Sequence, residues 1–214
     1  MRSRHAFGFT TIELVVVMGI ALIAAAFAIP SVMTALHTAR LRGAASNFSG
    51  LLQSGRIRAV QDNRFYSTYV LAGPPVEAYV DIFPHKNDGT SGNGGTSVAA
   101  GDPALVFSGE VAIVAAASAP DTSNLKGLFL PTGSTLPVND GSTTGAPVTF
   151  SPRGLPCTTQ SATGGTVCDS AGGATAFWVF FQNNVSQEWV ALTVSPSGRI
   201  QRWWHGTGGW TKIS

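Results

Sequence analysis

The chain has 214 residues, 44% hydrophobic and only 11% charged, with 25 Gly, 12 Pro and 2 Cys; that length holds one globular domain and an appendage, and so few charges argue against a disordered tail or a coiled coil. The net charge of +2 is segregated, residues 1–64 carrying seven Lys or Arg against two acids, residues 65–198 three against nine, and residues 199–214 three against none. A uniformly basic surface of the nucleic-acid-binding kind is therefore excluded, and two cysteines exclude both a dense disulfide framework and a four-cysteine zinc site.

Residues 1–8, M-R-S-R-H-A-F-G, are short and basic and lead into F-T-T-I-E-L-V-V-V-M-G-I-A-L-I-A-A-A-F-A-I-P. No Asp, Glu, Lys or Arg occurs in residues 14–39, and the dense apolar part, residues 9–33, reaches the roughly 20 residues that cross a bilayer as a helix. One acid, Glu13, interrupts it, at a cost on the order of 2.5–3.5 kcal/mol at a bilayer centre. An ordinary secretory signal shares the basic start, and Ala24, Ala25, Ala26 and Ala28 offer a cleavage site, but signal cores avoid carboxylates. Glu13 is tolerable where a cation from a neighbouring chain neutralises it at the same depth. Arg2 and Arg4 before the span are matched by Arg40 and Arg42 after it, so loop charge leaves the orientation undecided.

Helical patterning continues through Leu41, Ala45, Phe48, Leu52, Gly55 and Ala59, with Arg40, Arg42, Arg56 and Arg58 largely off that line. A helix over residues 9–62 would be roughly 80 Å long. Its continuation, residues 34–63, must therefore pack on a soluble domain. Pro30 lies inside it and removes a backbone hydrogen bond, which predicts a kink, or a plain break at the membrane boundary.

Beyond Asn63, short runs rich in β-branched and aromatic residues predict strands at 65–71, 77–83, 104–107, 110–116, 127–130, 148–150, 176–182, 188–194, 199–203 and 210–213. Residues 64–214 thus read as an antiparallel two-sheet domain, with the clearest hairpin turning at 183–187. Residues 85–103 and 137–147 read as long flexible loops. The Asp and Asn residues near Asp88 lack the alternating ligand spacing of a calcium loop. Cys157 and Cys168 enclose ten residues with little tendency to order, and a bridge between them would stabilise by about 3 kcal/mol. A redox-active pair prefers C-x-x-C spacing.

The segment G-F-T-T-I-E-L-V-V-V resembles the type IV prepilin leader. The resemblance implies cleavage by a prepilin peptidase between Gly8 and Phe9, N-methylation of Phe9, and Glu13 as an assembly residue that meets the amine of an adjoining subunit. The runs V-T-F-S-P-R-G, F-W-V-F-F, W-V-A-L-T-V and S-P-S-G-R-I-Q-R resemble minor pseudopilins of the GspH/FimT type. The match is strong in the leader and helix, moderate in the final third, and nearly absent over residues 74–145. It implies an α+β, pilin-like fold: a long hydrophobic helix on a carboxyl-terminal domain of two antiparallel sheets. It also implies a single-pass inner-membrane protein, leader in the cytoplasm and domain in the periplasm or on a filament, the compartment that suits paired cysteines.

The expected function is that of a minor subunit of a type II secretion pseudopilus or type IV pilus, with other pilins or pseudopilins as partners. No catalysis, cofactor, metal or small-molecule substrate is expected. The alternative is DNA binding in a transformation pilus. Some members of the resembled family bind DNA through a carboxyl-terminal G-R-x-R element, and Gly198, Arg199 and Arg202 form the longer G-R-I-Q-R, with Lys212, His205, Trp203, Trp204 and Trp210 nearby. Strand alternation would place Arg199 and Arg202 on opposite faces. An anchored hydrolase is the weakest reading, because His5, His37, His85 and His205 lack a nucleophile elbow or metal-ligand spacing.

Overall fold

A computed structural model describes residues 10–71, 75–83, 101–142, 147–158 and 175–213. Helix α1, Thr11–Gln61, is followed by strands β1 (Tyr66–Leu71), β2 (Glu77–Ile82), β3 (Ala104–Val106) and β4 (Val111–Val114). A single 3-10 turn at Ala116–Ser118 leads to α2 (Thr122–Phe129), then β5 (Val138–Asp140), β6 (Val148–Phe150), β7 (Pro156–Cys157), β8 (Ala176–Asn183), β9 (Trp189–Val194), β10 (Ile200–Gly206) and β11 (Gly209–Ile213). The first sheet has the order β3-β2-β1-β6-β7 and the second β11-β10-β9-β8-β4. All pairings are antiparallel except that of β5, which runs parallel to the first half of β8 on the edge whose second half pairs with β4. This is the α+β, pilin-like arrangement expected from the sequence: one long apolar helix laid on a two-sheet domain.

The helix builds the core of that domain. Leu41, Ala45, Phe48, Leu51, Leu52, Gly55 and Ala59 are buried, which is the predicted stripe with Leu51 added. They meet Tyr66, Val70, Val80, Val148 and Phe150 of the first sheet and Phe177, Val179, Phe181, Val190, Leu192 and Val194 of the second. Phe48 stands at the centre, its ring 5.4 Å edge-on from Phe181 and 6.3 Å from Phe107. Each full burial of such a side chain is worth roughly 1.5–3 kcal/mol, so α1 supplies a large part of what holds the sheets together. The helix runs through Pro30 without interruption, so the proline does not end it at the membrane boundary. It stops at Asp62, whose N–H donates to Arg58 O and whose carboxylate accepts from the Tyr66 hydroxyl at 2.5 Å. Burial first, and then that hydrogen bond, push the Tyr66 hydroxyl up to about 12.

Most predicted strands appear within one to three residues of their expected bounds, and two expectations are corrected. Residues 127–130 are not a strand; they lie in and just after α2, where Leu125 and Phe129, four apart, share the face that packs on Phe180, Trp203 and Trp210 while Leu128 stays 47% exposed. The presumed loop 137–147 begins with β5, whose polar side chains act as ties: Asp140 accepts from Ala116 N at 2.6 Å and Ser142 N at 3.0 Å, and Asn139 donates to Thr175 Oγ1. The hairpin of β8 and β9 forms as expected, with Asn183 Oδ1 accepting from Val185 N and Ser186 N in the turn.

At the far end of α1, two turns of like sequence and geometry, S-P-R-G (151–154) and S-P-S-G (195–198), come one from each sheet. In each the Gly N–H donates to the Ser carbonyl at 2.8 Å, and Gly154 and Gly198 have φ of 72° and 77°. Arg56 lies against both glycines and donates to Gly198 O at 2.9 Å. A Cβ on Gly198 would sit 2.7 Å from Gly154 O, so the two turns meet here because Gly198 carries no side chain, and a Cβ on Gly154 would press on Arg56 and Val60 of α1 instead. Gly198→Ala is expected to cost about 1–3 kcal/mol. Gly43→Ala, at a helical position with open space around it, should gain about 0.5–1 kcal/mol. Thermal unfolding of the full chain in detergent, followed by tryptophan fluorescence, distinguishes the two.

Candidate functional site

The amino-terminal half of α1 is apolar all round and touches nothing in the domain. Thirteen large apolar side chains from Ile12 to Met33 are between 52% and 79% exposed, and one window of the helix reaches a mean hydropathy of 2.7, long and apolar enough to cross a membrane. Covering that surface is worth on the order of 20–40 kcal/mol. With no polar face, the segment suits lipid or other helices on every side.

Thr10 caps this helix, its Oγ1 accepting from Glu13 N at 3.3 Å, as the sequence T-T-I-E at a helix start encodes. Glu13 thus sits in the first turn, where the helix dipole favours a carboxylate by about 0.3–1 kcal/mol. That is less than the roughly 2.5–3.5 kcal/mol of placing the acid in hydrocarbon. Among the described residues its carboxylate has no side-chain partner.

Where the bare helix enters the domain, a polar collar grips it. His37 Nδ1 lies 2.9 Å from Glu110 Oε2, and Arg40 pairs with Glu110 Oε1 at 2.5 Å. On the adjoining side Thr38 donates to Glu188 Oε2 at 2.9 Å, Ser186 donates to the same oxygen at 3.0 Å, and Asn183 Nδ2 donates to His37 O. Glu110 precedes β4 and Glu188 precedes β9, so both carboxylates come from turns at one end of the second sheet. Arg42, one turn on, lies 4.7 Å over the Trp204 ring. The collar went unseen in the sequence because its partners lie 70 to 150 residues apart.

The Arg40 guanidinium, and after it His37, hold the Glu110 carboxyl below its ordinary 4.5. A carboxyl lowered in the folded state contributes stability that is fully present above its ordinary value and lost as pH falls through the lowered one. Acidification from neutral through pH 4.5 and below is therefore expected to loosen the collar, read as lower amide protection in residues 36–41 relative to the intrinsic exchange rate at each pH. Glu110→Gln should lower that protection at neutral pH and flatten its further loss in acid.

The carboxyl-terminal basic residues do not share a face. Ile200, Trp204 and Ile213 pack toward α1, and Arg202 pairs with Ile213 across the strands. Trp203 and Trp210 pack toward α2, and Lys212 pairs with Trp203. Strand alternation thus puts Arg202 on the α1 side and Lys212 on the α2 side, while Arg199 is exposed just before β10. His205 lies 3.5 Å from Asp121 and edge-on to Trp210 at 5.0 Å. Behind β1, Ser67 and Thr149 share a 2.6 Å hydrogen bond beside the stacked, buried Tyr69 and Tyr79, and burial raises the Tyr69 hydroxyl above its ordinary range. Among the described residues no three His, Cys, Asp or Glu side chains gather into a metal-holding group. Cys157 is half-buried on β7; Gly8, Phe9 and Cys168 lie outside the described residues, as do His5, His85 and Asp88. No family model, curated protein or solved structure matches the chain.

Proposed function

We propose that this chain is a minor subunit of a pilin-like filament, a type II secretion pseudopilus or a type IV pilus, that waits in the inner membrane with its β domain in the periplasm and supports secretion or pilus biogenesis. The observation that carries the reading is the division of one continuous helix: residues 41–59 complete the domain core, and the preceding half is bare and apolar on every side. A membrane anchor alone needs about 20 residues and no rigid extension into the core. A subunit that leaves lipid for a bundle of like helices needs both, because the rod must carry the domain with it.

In this reading a prepilin peptidase cuts between Gly8 and Phe9 and methylates Phe9, leaving one residue before the Thr10 cap. The new amine of one subunit then neutralises Glu13 of the next. Cys157 and Cys168 form a bridge, a pairing that fits an oxidising compartment and the finding that no described cysteine is a free thiol. The work is helix packing and surface recognition, with other pilins or pseudopilins as partners. DNA binding gains no support from the division of Arg202 and Lys212 between opposite faces, and we do not advance it.

Mass spectrometry of the membrane-derived protein is expected to show a chain beginning at methylated Phe9. Leaving a buried charge unpaired typically costs about 3–5 kcal/mol, so Glu13→Ala, which removes the carboxylate and strands the neighbour's amine, should reduce incorporation into filaments at least roughly tenfold. Membrane insertion should be unimpaired. A retained leader, or Glu13→Ala entering filaments as readily as the wild type, would defeat the proposal.

A further inference from the structure

The bare helix fixes how near the domain lies to a membrane. Residues 14–33, which carry no charge, rise about 30 Å, the thickness of the hydrocarbon layer. His37, where side-chain bonds between α1 and the domain begin, stands a rise of about 6 Å past Met33, and head groups extend about 5–7 Å beyond the hydrocarbon on each side. Because α1 is continuous, no linker lifts the domain away from that layer. The collar end therefore stands at the height of the head groups.

The second sheet supplies the surface there. Gln182, Trp189, His205 and Trp210 form one row across β8, β9, β10 and β11, and the turns 183–187 and 206–209 project beyond it. Asn183 Nδ2 donates to His37 O, which puts the first turn at the level of His37. Both turns, N-N-V-S-Q and G-T-G-G, are free of charge, whereas those at the far end carry or adjoin Arg153 and Arg199. Val185, in the first turn, is 60% exposed. Trp189 and Trp204, half-buried at this end, are of the type enriched where protein meets a membrane interface. The carboxylates here are answered within the domain: Glu110 by His37 and Arg40, Glu188 by Thr38 and Ser186, and Asp121 by His205. Glu77 pairs with Val106 of β3, which lies against residues 40–47, farther up the rod. Arg42 is exposed, lies over Trp204 and, among the described residues, pairs with no carboxylate.

We propose that the collar end is a lipid-docking surface: while the helix is embedded, the turns 183–187 and 206–209 rest in the head-group layer of the same bilayer, Val185 reaches toward the acyl boundary, and Arg42 donates to lipid phosphate. An uncharged turn with one apolar side chain suits a layer of mixed polarity, whereas a turn with a free carboxylate would be repelled by phosphate. Side chains on a helix lean toward its amino terminus, so Arg42 leans toward the membrane, and a guanidinium matches phosphate geometry. A lipid surface is favoured over another protein because the continuous helix brings it to this end of every embedded copy, with no encounter required. The inference rests on the membrane reading of α1. It adds a second contact with the bilayer, one that holds the tilt of the domain while the subunit waits and is broken when the helix leaves lipid.

The test uses the full chain in vesicles of phosphatidylcholine and phosphatidylglycerol, with one nitroxide label per protein at Asn184→Cys or Thr207→Cys in the collar turns, at Ser197→Cys at the far end, or at Ile20→Cys in the bare helix. Collisions with a water-soluble nickel chelate and with oxygen report depth. Nickel collisions at positions 184 and 207 are expected to be at least roughly threefold fewer than at 197, with oxygen collisions retained. That protection should persist when the protein is diluted to single chains per vesicle. Combining Val185→Asp with Arg42→Glu should raise nickel collisions at 207 at least roughly threefold while leaving those at 197 and 20 unchanged, a selectivity that a folding defect would not give. Nickel reaching 184 and 207 as freely as 197, or protection indifferent to the double substitution, would overturn the proposal. Protection lost on dilution would assign the collar end to another protein chain and reject lipid docking. If the Ile20→Cys label sits in hydrocarbon while 184 and 207 are aqueous, docking fails and the membrane reading stands; if nickel reaches position 20 as freely as 197, both fail.

Discussion

One continuous helix has to serve two surroundings. Helix α1 runs from Thr11 to Gln61, past the donor that Pro30 lacks, through the half that suits hydrocarbon and the half that forms a wall of the domain core. Because a helix transmits orientation along its axis, the domain cannot turn independently of the embedded half unless the rod bends. The collar of His37, Thr38 and Arg40 on Glu110 and Glu188 stands where the bare half of the rod meets the domain, and it fixes the azimuth of the domain about the rod.

Much of this is legible in the sequence, for a physical reason. The stripe Leu41, Ala45, Phe48, Leu52, Gly55 and Ala59 is a local periodic signal, and its members are the buried ones. The strands of the final third announce themselves through aromatic and β-branched runs, because both faces of the second sheet are covered, one by α1 and one by α2. What stayed hidden depended on distant partners. The V-N-D of β5 has no strand alternation and pairs only because β8 offers a free half-edge. The apolar G-L-F-L stretch looks extended in isolation and becomes helical because Leu125 and Phe129 find Phe180 and the tryptophans.

The candidate site was readable in part. Glu13 stood out from composition alone, since a single acid in an apolar run is an electrostatic anomaly wherever it occurs. The collar carboxylates were invisible, since nothing near Glu110 or Glu188 distinguishes them from ordinary surface acids. The basic residues of the last strands attracted notice as a group, yet pleating parts Arg202 from Lys212. Arg199 belongs instead with Arg153 and Arg56, through two turns whose shared S-P-x-G spelling was visible and whose meeting was not.

The placement of α1 at the start of the chain also sets an order of manufacture. Residues 41–59 leave the ribosome early, but the strands that cover them extend to β10, more than a hundred residues later. Such long-range closure is slow, and until it happens the stripe of Leu41, Phe48 and Leu52 has nowhere to hide. On the membrane reading proposed above, lipid takes up the apolar segment during synthesis, which tethers the unfinished polypeptide and keeps its sticky half from meeting those of other nascent chains. An anchor of that kind doubles as a device for orderly maturation.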